Sequence, residues 1–389
     1  MIENSGMTHR QRLVAALDRK EPDWIPWFPR LEIWYEANLN AGTLPVRYKG
    51  LELAEIYRCL GMGRQGRDPK KRRVFYTQAN MDMRVTDLED GQLTLYNTPY
   101  GSVSRRLQIS PELRWKGVEP IEVEHLIKAP EDYAAVEYVL KHTEIIPCYE
   151  AYLAYETELG EEGIPFVFMG QDPMSHILVD LIGYKQAYYH LADYPEKVDH
   201  LYRALCDYYQ RVLKIILESP ARLIMHGQHF DSSMTPPRLF RKYMVPYFQP
   251  IAQALHDRGK WLAGHADADT SRLMHEVLDC GFDVLDCFVT APMVPLTMSQ
   301  ARQVFEEKIT LWGGIPSVLL EHSFSEQDFR KALFGLFSSI TPGRAFILGV
   351  ADNVMAESSI ERLEFVSQLM GKCGKFPLDL QSLKEALEI

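Results

Sequence analysis

Short apolar runs alternate with amphipathic stretches along most of this chain, and glycine, proline or polar residues follow each apolar run. Residues 261–264 form such a run, a helical segment around residues 273–278 follows, and residues 284–288 form the next run. Runs of this length between helical segments are typical of buried parallel strands. The pattern therefore predicts βα repeats of a parallel sheet.

The same pattern recurs often enough to indicate the architecture. Seven repeats favour a (β/α)₈ TIM barrel, with an eighth strand that the pattern does not place and an open doubly wound sheet as the alternative. No GxGxxG or GxxxxGK[ST] motif follows any run, so the usual nucleotide-binding loops are not expected. The seven predicted strands lie near residues 25, 166, 224, 262, 285, 310 and 347.

Two segments depart from the βα pattern. Residues 8–20 have a cap-like Thr8 and one apolar helical face, which predicts an N-terminal helical segment. Residues 70–126 include stretches of period two with Asp-Gly and Pro-Tyr-Gly turn signals, which predict an antiparallel β-hairpin insertion. We expect residues 1–389 to form a single barrel domain that carries this insertion.

Composition and charge exclude several classes of protein. The chain is 46% hydrophobic and 24% charged with a formal charge of −11, which is typical of a globular protein and argues against a nucleic-acid surface. The one basic run, Arg67 to Arg73, is expected to be a solvated loop. Six cysteines without a CxxC pair, no signal peptide and no membrane-length apolar run predict a reduced, cytoplasmic protein.

Polar residues recur directly after the predicted strands. In a barrel these loops would meet at one mouth, where barrel enzymes place their active sites. The expected site therefore draws on five loops: Gln171 and Asp172; His226, His229 and Asp231; His265, Asp267 and Asp269; Asp286 and Cys287; Asp352 and Asn353.

One pair in this set has metal-ligand character. His265 and Asp267 would point to the same side of an extended strand end, and with Cys287 they would suit zinc with one position left open. In the alternative without a metal, His265 is a hydrogen-bonding residue of the site and Asp267 orients the His265 side chain. Cys287 could likewise be a buried packing residue.

Several segments, in the same order along the chain, resemble the uroporphyrinogen decarboxylase superfamily. They span roughly residues 160–370, and the match is looser before them. The segments are VDLIGYKQAYYHLADYPEKVDHL, FRKYMVPYFQPIAQALHDRGKWLAGH followed by ADAD, GFDVLDCF, LWGGIPSVLL and FILGVADNVMAESSIERL. The resemblance implies a (β/α)₈ barrel and one of two activities: decarboxylation of uroporphyrinogen without a cofactor, or zinc-dependent methyl transfer involving a corrinoid.

The chain departs from both branches at defined positions. The decarboxylases have an RQAGRY-type stretch whose arginines meet substrate carboxylates, whereas here Arg30 has no second arginine close by in sequence. The methyltransferases have His-x-Cys and a later Cys; here His265 is kept, but Asp267 and Asp352 stand near the cysteine positions. The resemblance then implies zinc ligation by His265, Asp267 and Asp352, with Cys287 or Asp231 as substitutes.

On these grounds we expect a methyltransferase with zinc as cofactor. It would demethylate a small donor, an aryl methyl ether, and pass the methyl group to a corrinoid carried by a cobalamin-binding partner protein. His229 or Asp231 would protonate the leaving oxygen beside His265. Decarboxylation and a non-catalytic ligand-binding barrel are the alternatives, and the sequence is compatible with a homodimer. The expected substrate-binding residues are Arg30, Met169, Gln171, Phe230, Phe288 and Trp312.

Overall fold

Parallel strands joined edge to edge organise the computed structural model, which describes residues 6–115, 120–227 and 229–389. Within those residues, one parallel sheet has seven strands in the order β1-β8-β9-β10-β11-β12-β13. The strands are β1 (Arg64–Gly66), β2 (Phe75–Ala79), β3 (Asp82–Leu88), β4 (Gly91–Thr98), β5 (Gly101–Gln108), β6 (Ile121–Glu124), β7 (Thr143–Pro147), β8 (Gly163–Gly170), β9 (Leu223–His226), β10 (Trp261–His265), β11 (Val284–Phe288), β12 (Thr310–Pro316) and β13 (Phe346–Ala351).

The segment around Trp27 closes this sheet into a barrel. Phe28 N–H donates to the Leu348 carbonyl at 2.8 Å, and Trp27 and Leu348 form a parallel bridge, so the segment lies beside β13. On the other side, Gly63 N–H donates to the Trp27 carbonyl at 2.9 Å, just before β1. The predicted TIM-barrel fold is confirmed. The strand that the sequence did not reveal is β1, which reads Arg-Gln-Gly and has no apolar run.

Alternation along the strands separates two cores. On β8, Ile164 and Phe166 face the barrel interior, whereas Val167 and Met169 face the surrounding helices. The opening helix contributes apolar residues to the interior core, and Thr8 caps that helix by accepting from Gln11 N–H. The interior core comprises Leu13, Ala16, Leu17, Phe28, Ile164, Phe166, Leu223, Met225, Trp261, Ala263, Val284, Trp312 and Ile347.

Helices fill the connections between the barrel strands. The longest is strongly amphipathic, with buried Val198, Leu205 and Val212 along one face. The α-helices span His9–Leu17, Glu32–Ala41, Leu53–Cys59, Pro111–Trp115, Tyr133–Lys141, Glu150–Leu159, Pro173–His176, Tyr184–Asp193, Pro195–Glu218, Pro237–Leu239, Val245–His256, Met274–Asp279, Met298–Phe305, Glu326–Ile340, Ile360–Cys373 and Leu380–Leu387. Shorter 3₁₀ and π segments span Val46–Tyr48, Gly160–Glu162, Ile177–Leu181, Phe240–Met244 and Ser317–Leu320.

The expected antiparallel insertion is present between β1 and β8. Strands β3, β4, β5 and β6 pair in that order, with the Asp90-Gly91 turn joining the first two. Strand β2 pairs instead with β7, so a second, two-stranded antiparallel sheet flanks the first along the chain. In the described part of the chain, no helix is both long enough and apolar enough to cross a membrane.

Barrel closure depends on close packing at Gly63. A Cβ atom built there would lie 2.2 Å from the Phe28 ring, which fills the barrel interior. We expect Gly63→Ala to lower the free energy of unfolding by about 1–3 kcal/mol, because either the ring or the closing strand must move. Urea unfolding followed by circular dichroism measures the change.

The matched control is Gly335→Ala on the exposed face of the helix Glu326–Ile340, where an added Cβ meets no atom within 4 Å. Alanine there should leave stability unchanged or raise it by up to about 1 kcal/mol. Equal losses in both variants would contradict the closure argument.

Candidate active site

His265 lies at the centre of a cluster of charged side chains at the C-terminal mouth of the barrel. It is the third inward-facing residue of β10, after Trp261 and Ala263. Its Nδ1 is 3.2 Å from Asp286 Oδ2 on the neighbouring strand, where the two residues are register partners. Its Nε2 is 3.3 Å from Asp267 Oδ2. The imidazole is therefore held between two carboxylates.

An irregularity in β11 brings two consecutive residues into this cluster. The register with β12 shifts between Leu285 and Phe288, and Cys287 has a positive φ of 54°. Ordinary alternation would turn Cys287 away from Asp286, but a bulge allows both side chains to reach the mouth. Both residues are buried.

Arg30 follows the segment around Trp27 that closes the barrel, and its side chain contacts Asp352 directly after β13. Its Nη1 is 3.1 Å from Asp352 Oδ1 and 3.4 Å from Cys287 Sγ. One guanidinium nitrogen thus stands between a carboxylate and a thiol that come from different strands. Asp352 and Cys287 thus direct their polar atoms to one point, which the guanidinium of Arg30 occupies.

His229 forms the outer edge of the cluster. Its Nδ1 forms a short contact with Asp267 Oδ1, so that Asp267 bridges His229 and His265. The His229 side chain is 45% exposed, whereas that of His265 is 13% exposed. His229 is therefore the member of the cluster that is most open to solvent.

The charges in the cluster balance one another. Burial alone would lower the pKa of His265, but Cys287, Asp267 and Asp286 together raise it well above its usual range. Burial opposes the charged forms of Asp267 and Asp286, yet His229 and His265 lower the pKa of Asp267, and Arg67 and His265 lower that of Asp286. Burial and Asp286 raise the pKa of Cys287. The two carboxylates beside His265 therefore favour its protonated form.

Two groups of side chains in this cluster have the donor atoms and the proximity of a metal site. His229, His265 and Asp267 form one group, and His265, Cys287 and Asp352 form the other; within each group the ligand atoms lie within 4.8 Å of one another. His265 belongs to both. Its Nδ1 is engaged by Asp286, an arrangement that orients metal-ligating histidines in other proteins. The donor set fits a zinc-type ion.

A comparison with family models identifies the chain. Residues 112–372, about two thirds of the sequence, match the model for uroporphyrinogen decarboxylase (URO-D). The chain belongs to the uroporphyrinogen decarboxylase family.

The fold of this chain also occurs in a solved structure. Among solved structures, a methyltransferase from Methanosarcina mazei shares the fold with a TM-score of 0.57 and 13% sequence identity, over 98% of each chain. No curated protein matches the sequence. This family member therefore shares the barrel of that methyltransferase at low sequence identity.

Arg67, the first residue of the basic run, lies at the barrel mouth. Arg67 was expected in a solvated loop, but its side chain is 8% exposed and pairs with the fully buried Asp286. Its guanidinium also lies over the Phe166 ring, 4.3 Å from the centroid, and its Nε donates to Gln65 Oε1. The solvated-loop prediction is wrong for Arg67. The residue follows β1, the strand that sequence periodicity missed, and it lies outside the segment that matches the family model.

Four of the six expected substrate-binding residues belong instead to the cores. Met169 and Phe288 face the helices, and Phe230 packs among Phe240, Phe248 and Phe282. Trp312 stacks on Phe166 in the barrel interior and donates to the Phe28 carbonyl. All four are almost fully buried. The strand period explains the first error, because Phe168, and not Met169, shares the inward side with Phe166.

Arg30, as described above, is the expected substrate-binding residue that does lie in the charged cluster. Gln171 is placed differently, because its Nε2 donates to Asp180 Oδ2 at 2.7 Å. Asp231 does not join the cluster either, since its Oδ1 accepts the backbone N–H groups of Ser233 and Met234. Asp231 therefore stabilises the turn that follows it, and its role as a proton donor stays a prediction.

Two other polar residues from the expected loops are structural. His226 is buried between the Gly170 carbonyl and Tyr247 Oη, both at 2.8 Å, and burial lowers its pKa to about 4. Asp172 caps the helix Pro173–His176, and burial raises its pKa to about 6. A polar residue at a strand end is therefore not always part of the site. Some of these residues instead form hydrogen bonds to backbone N–H or carbonyl groups.

The Arg67–Asp286 pair should contribute strongly to stability. We expect Arg67→Met to lower the free energy of unfolding by roughly 3–5 kcal/mol, because it leaves the buried Asp286 carboxylate without its cation. Adding Asp286→Asn to Arg67→Met should recover part of the loss. Chemical denaturation of both variants tests this.

Arg84→Met is the control. Arg84 lies on β3 with its side chain 72% exposed and 3.8 Å from Asp82, so its loss should change stability by no more than about 0.5 kcal/mol. If Arg67→Met behaves like Arg84→Met, the ion pair has no structural importance.

Proposed function

We propose that this protein is a zinc-assisted methyltransferase that moves a methyl group from a small donor, an aryl methyl ether, to a corrinoid carried by a partner protein. One observation carries the proposal: His265, oriented by Asp286, shares a space with Cys287, Asp352 and Asp267 at the barrel mouth. Membership of the family and a barrel shared with a methyltransferase support it.

The proposed ligands are His265, Cys287, Asp352 and Asp267. His265 belongs to both candidate groups, and Cys287 with Asp352 supplies a sulfur and an oxygen that Arg30 already brings to one point. Zinc favours imidazole and thiolate donors, so we take His265, Cys287 and Asp352 as the primary set. Asp267 is the fourth, weaker donor, because it also holds His229.

A zinc ion held there would supply Lewis acidity toward the ether oxygen of the donor. The protein's own contribution is orientation and proton delivery. Asp286 fixes the ring of His265 through Nδ1, and Arg67 holds Asp286 in place. His229, half exposed and held by Asp267, would give a proton to the departing oxygen while the methyl carbon passes to the acceptor.

A second candidate is a decarboxylase, which the arginines favour. Arg30, Arg67 and Arg72 all lie near the mouth, since the charges of Arg67 and Arg30 both act on Arg72. Arg67 and Arg72 are distant from Arg30 in sequence, and the fold brings them near it. Asp352 and Asp286 neutralise two of the three, however, so the set does not resemble a site for a substrate with eight carboxylates.

Zinc binding is the first test of the proposed site. Purified protein supplied with zinc should contain about one ion per chain by elemental analysis, and His265→Ala should abolish binding. Cys287→Ser and Asp352→Asn should weaken zinc binding more than Asp267→Asn does, because the sulfur and the Arg30-linked carboxylate belong to the primary set.

His200→Ala is the control, because His200 is exposed and pairs with Glu137 away from the mouth. It should bind zinc like the unmodified protein. Retention of zinc by His265→Ala would remove the basis of the proposal, whereas a greater loss in Asp267→Asn than in Cys287→Ser would shift the ion to the His229 group.

Methyl transfer is the second test. Zinc-loaded protein should convert a methoxylated aromatic compound to the phenol while free cob(I)alamin becomes methylated, as followed by absorbance. His265→Ala should lower the rate by about 10³-fold or more, and His229→Ala by about 10²-fold, which is typical for loss of a general acid.

The decarboxylase alternative is tested in parallel by CO₂ release from uroporphyrinogen. Release that depends on Arg30 and Arg67, without any methylation of cob(I)alamin, would favour that alternative.

A further inference from the structure

Arg72 is a largely buried cation that lacks an acidic partner. Its Nη1 donates to the Phe166 carbonyl at 3.2 Å, and its guanidinium lies 5.9 Å from the centroid of the Phe168 ring. No carboxylate in the described part of the chain lies within ion-pair distance of it, whereas Arg30 and Arg67 each have one. The carbonyl satisfies only part of the hydrogen-bonding capacity of a guanidinium.

The surroundings of Arg72 disfavour its positive charge. Burial, followed by the charges of Arg67 and Arg30, lowers the pKa of Arg72 to about 10. Asp286 is close enough to offset part of this effect, but it already pairs with Arg67 and His265. A buried charge without a partner is costly, and an anionic ligand would offset the cost.

Arg72 lines a pocket with aromatic walls. The pocket has a volume of about 410 Å³, which suits a molecule with one ring, and Phe168, Phe75 and Tyr76 line it beside Arg72. Phe168 is 36% exposed and so offers an accessible ring face or edge. A guanidinium next to aromatic side chains matches a ligand that has both a carboxylate and an aromatic ring.

Direct contacts connect this pocket to the charged cluster. Phe168 follows Phe166 on the inward side of β8, and Arg67 lies over the Phe166 ring while it pairs with Asp286. Asp286 in turn contacts His265. Arg72 itself lies close enough to Arg67, Arg30 and Asp286 for their charges to act on it, so the pocket lies beside the residues that hold His265.

We propose that Arg72 binds the carboxylate of an aromatic acid in this pocket, with the ring against Phe168, and that the methyl donor is a methoxybenzoate. The methoxy part of the proposal rests on the proposed methyltransferase function. The carboxylate part rests on Arg72, whereas Arg73, which also lines the pocket, donates its Nε to the Pro69 carbonyl. Both Arg72 and the walls from β2 lie outside the segment that matches the family model.

Calorimetric titration of the unmodified, zinc-loaded protein tests the carboxylate. The probes are 2-, 3- and 4-methoxybenzoate, each compared with its neutral amide. At least one acid should bind about tenfold or more tightly than its amide, because a bidentate, charge-assisted contact is lost in the amide. Equal affinities within all three pairs would overturn the proposal, and so would inorganic phosphate binding as tightly as the best acid.

Variants assign the contact to Arg72. Arg72→Gln should reduce the acid's advantage over its amide to less than about twofold, and Arg72→Lys should keep part of it, since lysine retains charge without the planar fork. Arg84→Gln removes an exposed arginine and should change nothing. Thermal unfolding shows whether Arg72→Gln folds; if it does not, the ligand pairs with unmodified protein and Arg72→Lys still decide the question.

The outcomes separate this proposal from the proposed function. Arg72-dependent binding of the acids without methylation of cob(I)alamin would keep the carboxylate site and remove the methyltransferase. Methyl transfer from methoxybenzene at the same kcat/KM as from methoxybenzoates, unchanged in Arg72→Gln, would keep the methyltransferase and remove the carboxylate site.

Discussion

The buried ion pair between Arg67 and Asp286 is the interaction on which the mouth of this barrel depends. A carboxylate with no exposure to water is stable only when a cation and hydrogen-bond donors compensate it. Arg67 provides that charge from the loop after β1, and His265 provides the second contact from β10. One carboxylate therefore links three separate parts of the chain and sets the orientation of the central imidazole.

The bulge in β11 extends this arrangement toward the last strand. Because Asp286 and Cys287 both reach the mouth, one strand contacts His265 on one side and Arg30 on the other. Arg30 then reaches Asp352 after β13. The cluster thus runs from β10 through β11 to the closing segment, and its acidic and basic groups largely neutralise one another.

Arg72 differs from Arg30 and Arg67 because the described residues give it no carboxylate. The mouth therefore has a balanced part around His265 and a cationic part between Arg72 and Phe168. Such a division suits the proposed substrate, whose carboxylate would be fixed at one end while its methoxy group lies near the proposed zinc ligands. Under the proposed function, Arg72 would serve binding, whereas His265 and its neighbours would serve the chemistry.

Much of this protein followed from the sequence alone. Apolar runs and helical spacing predicted the barrel, and the polar residues at the ends of β10, β11 and β13 predicted that His265, Asp267, Cys287 and Asp352 lie at its mouth, because side-chain period and strand ends are local properties. Tertiary structure decided the rest. Strand β1 has no apolar run, and Arg67 looked like part of a solvated loop until the fold brought Asp286 to it. The inward or outward direction of Met169 and Phe168 depended on register, which a one-residue shift reverses. The sequence thus located the mouth of the barrel, whereas the pairing of charges across distant strands determined which side chains meet there.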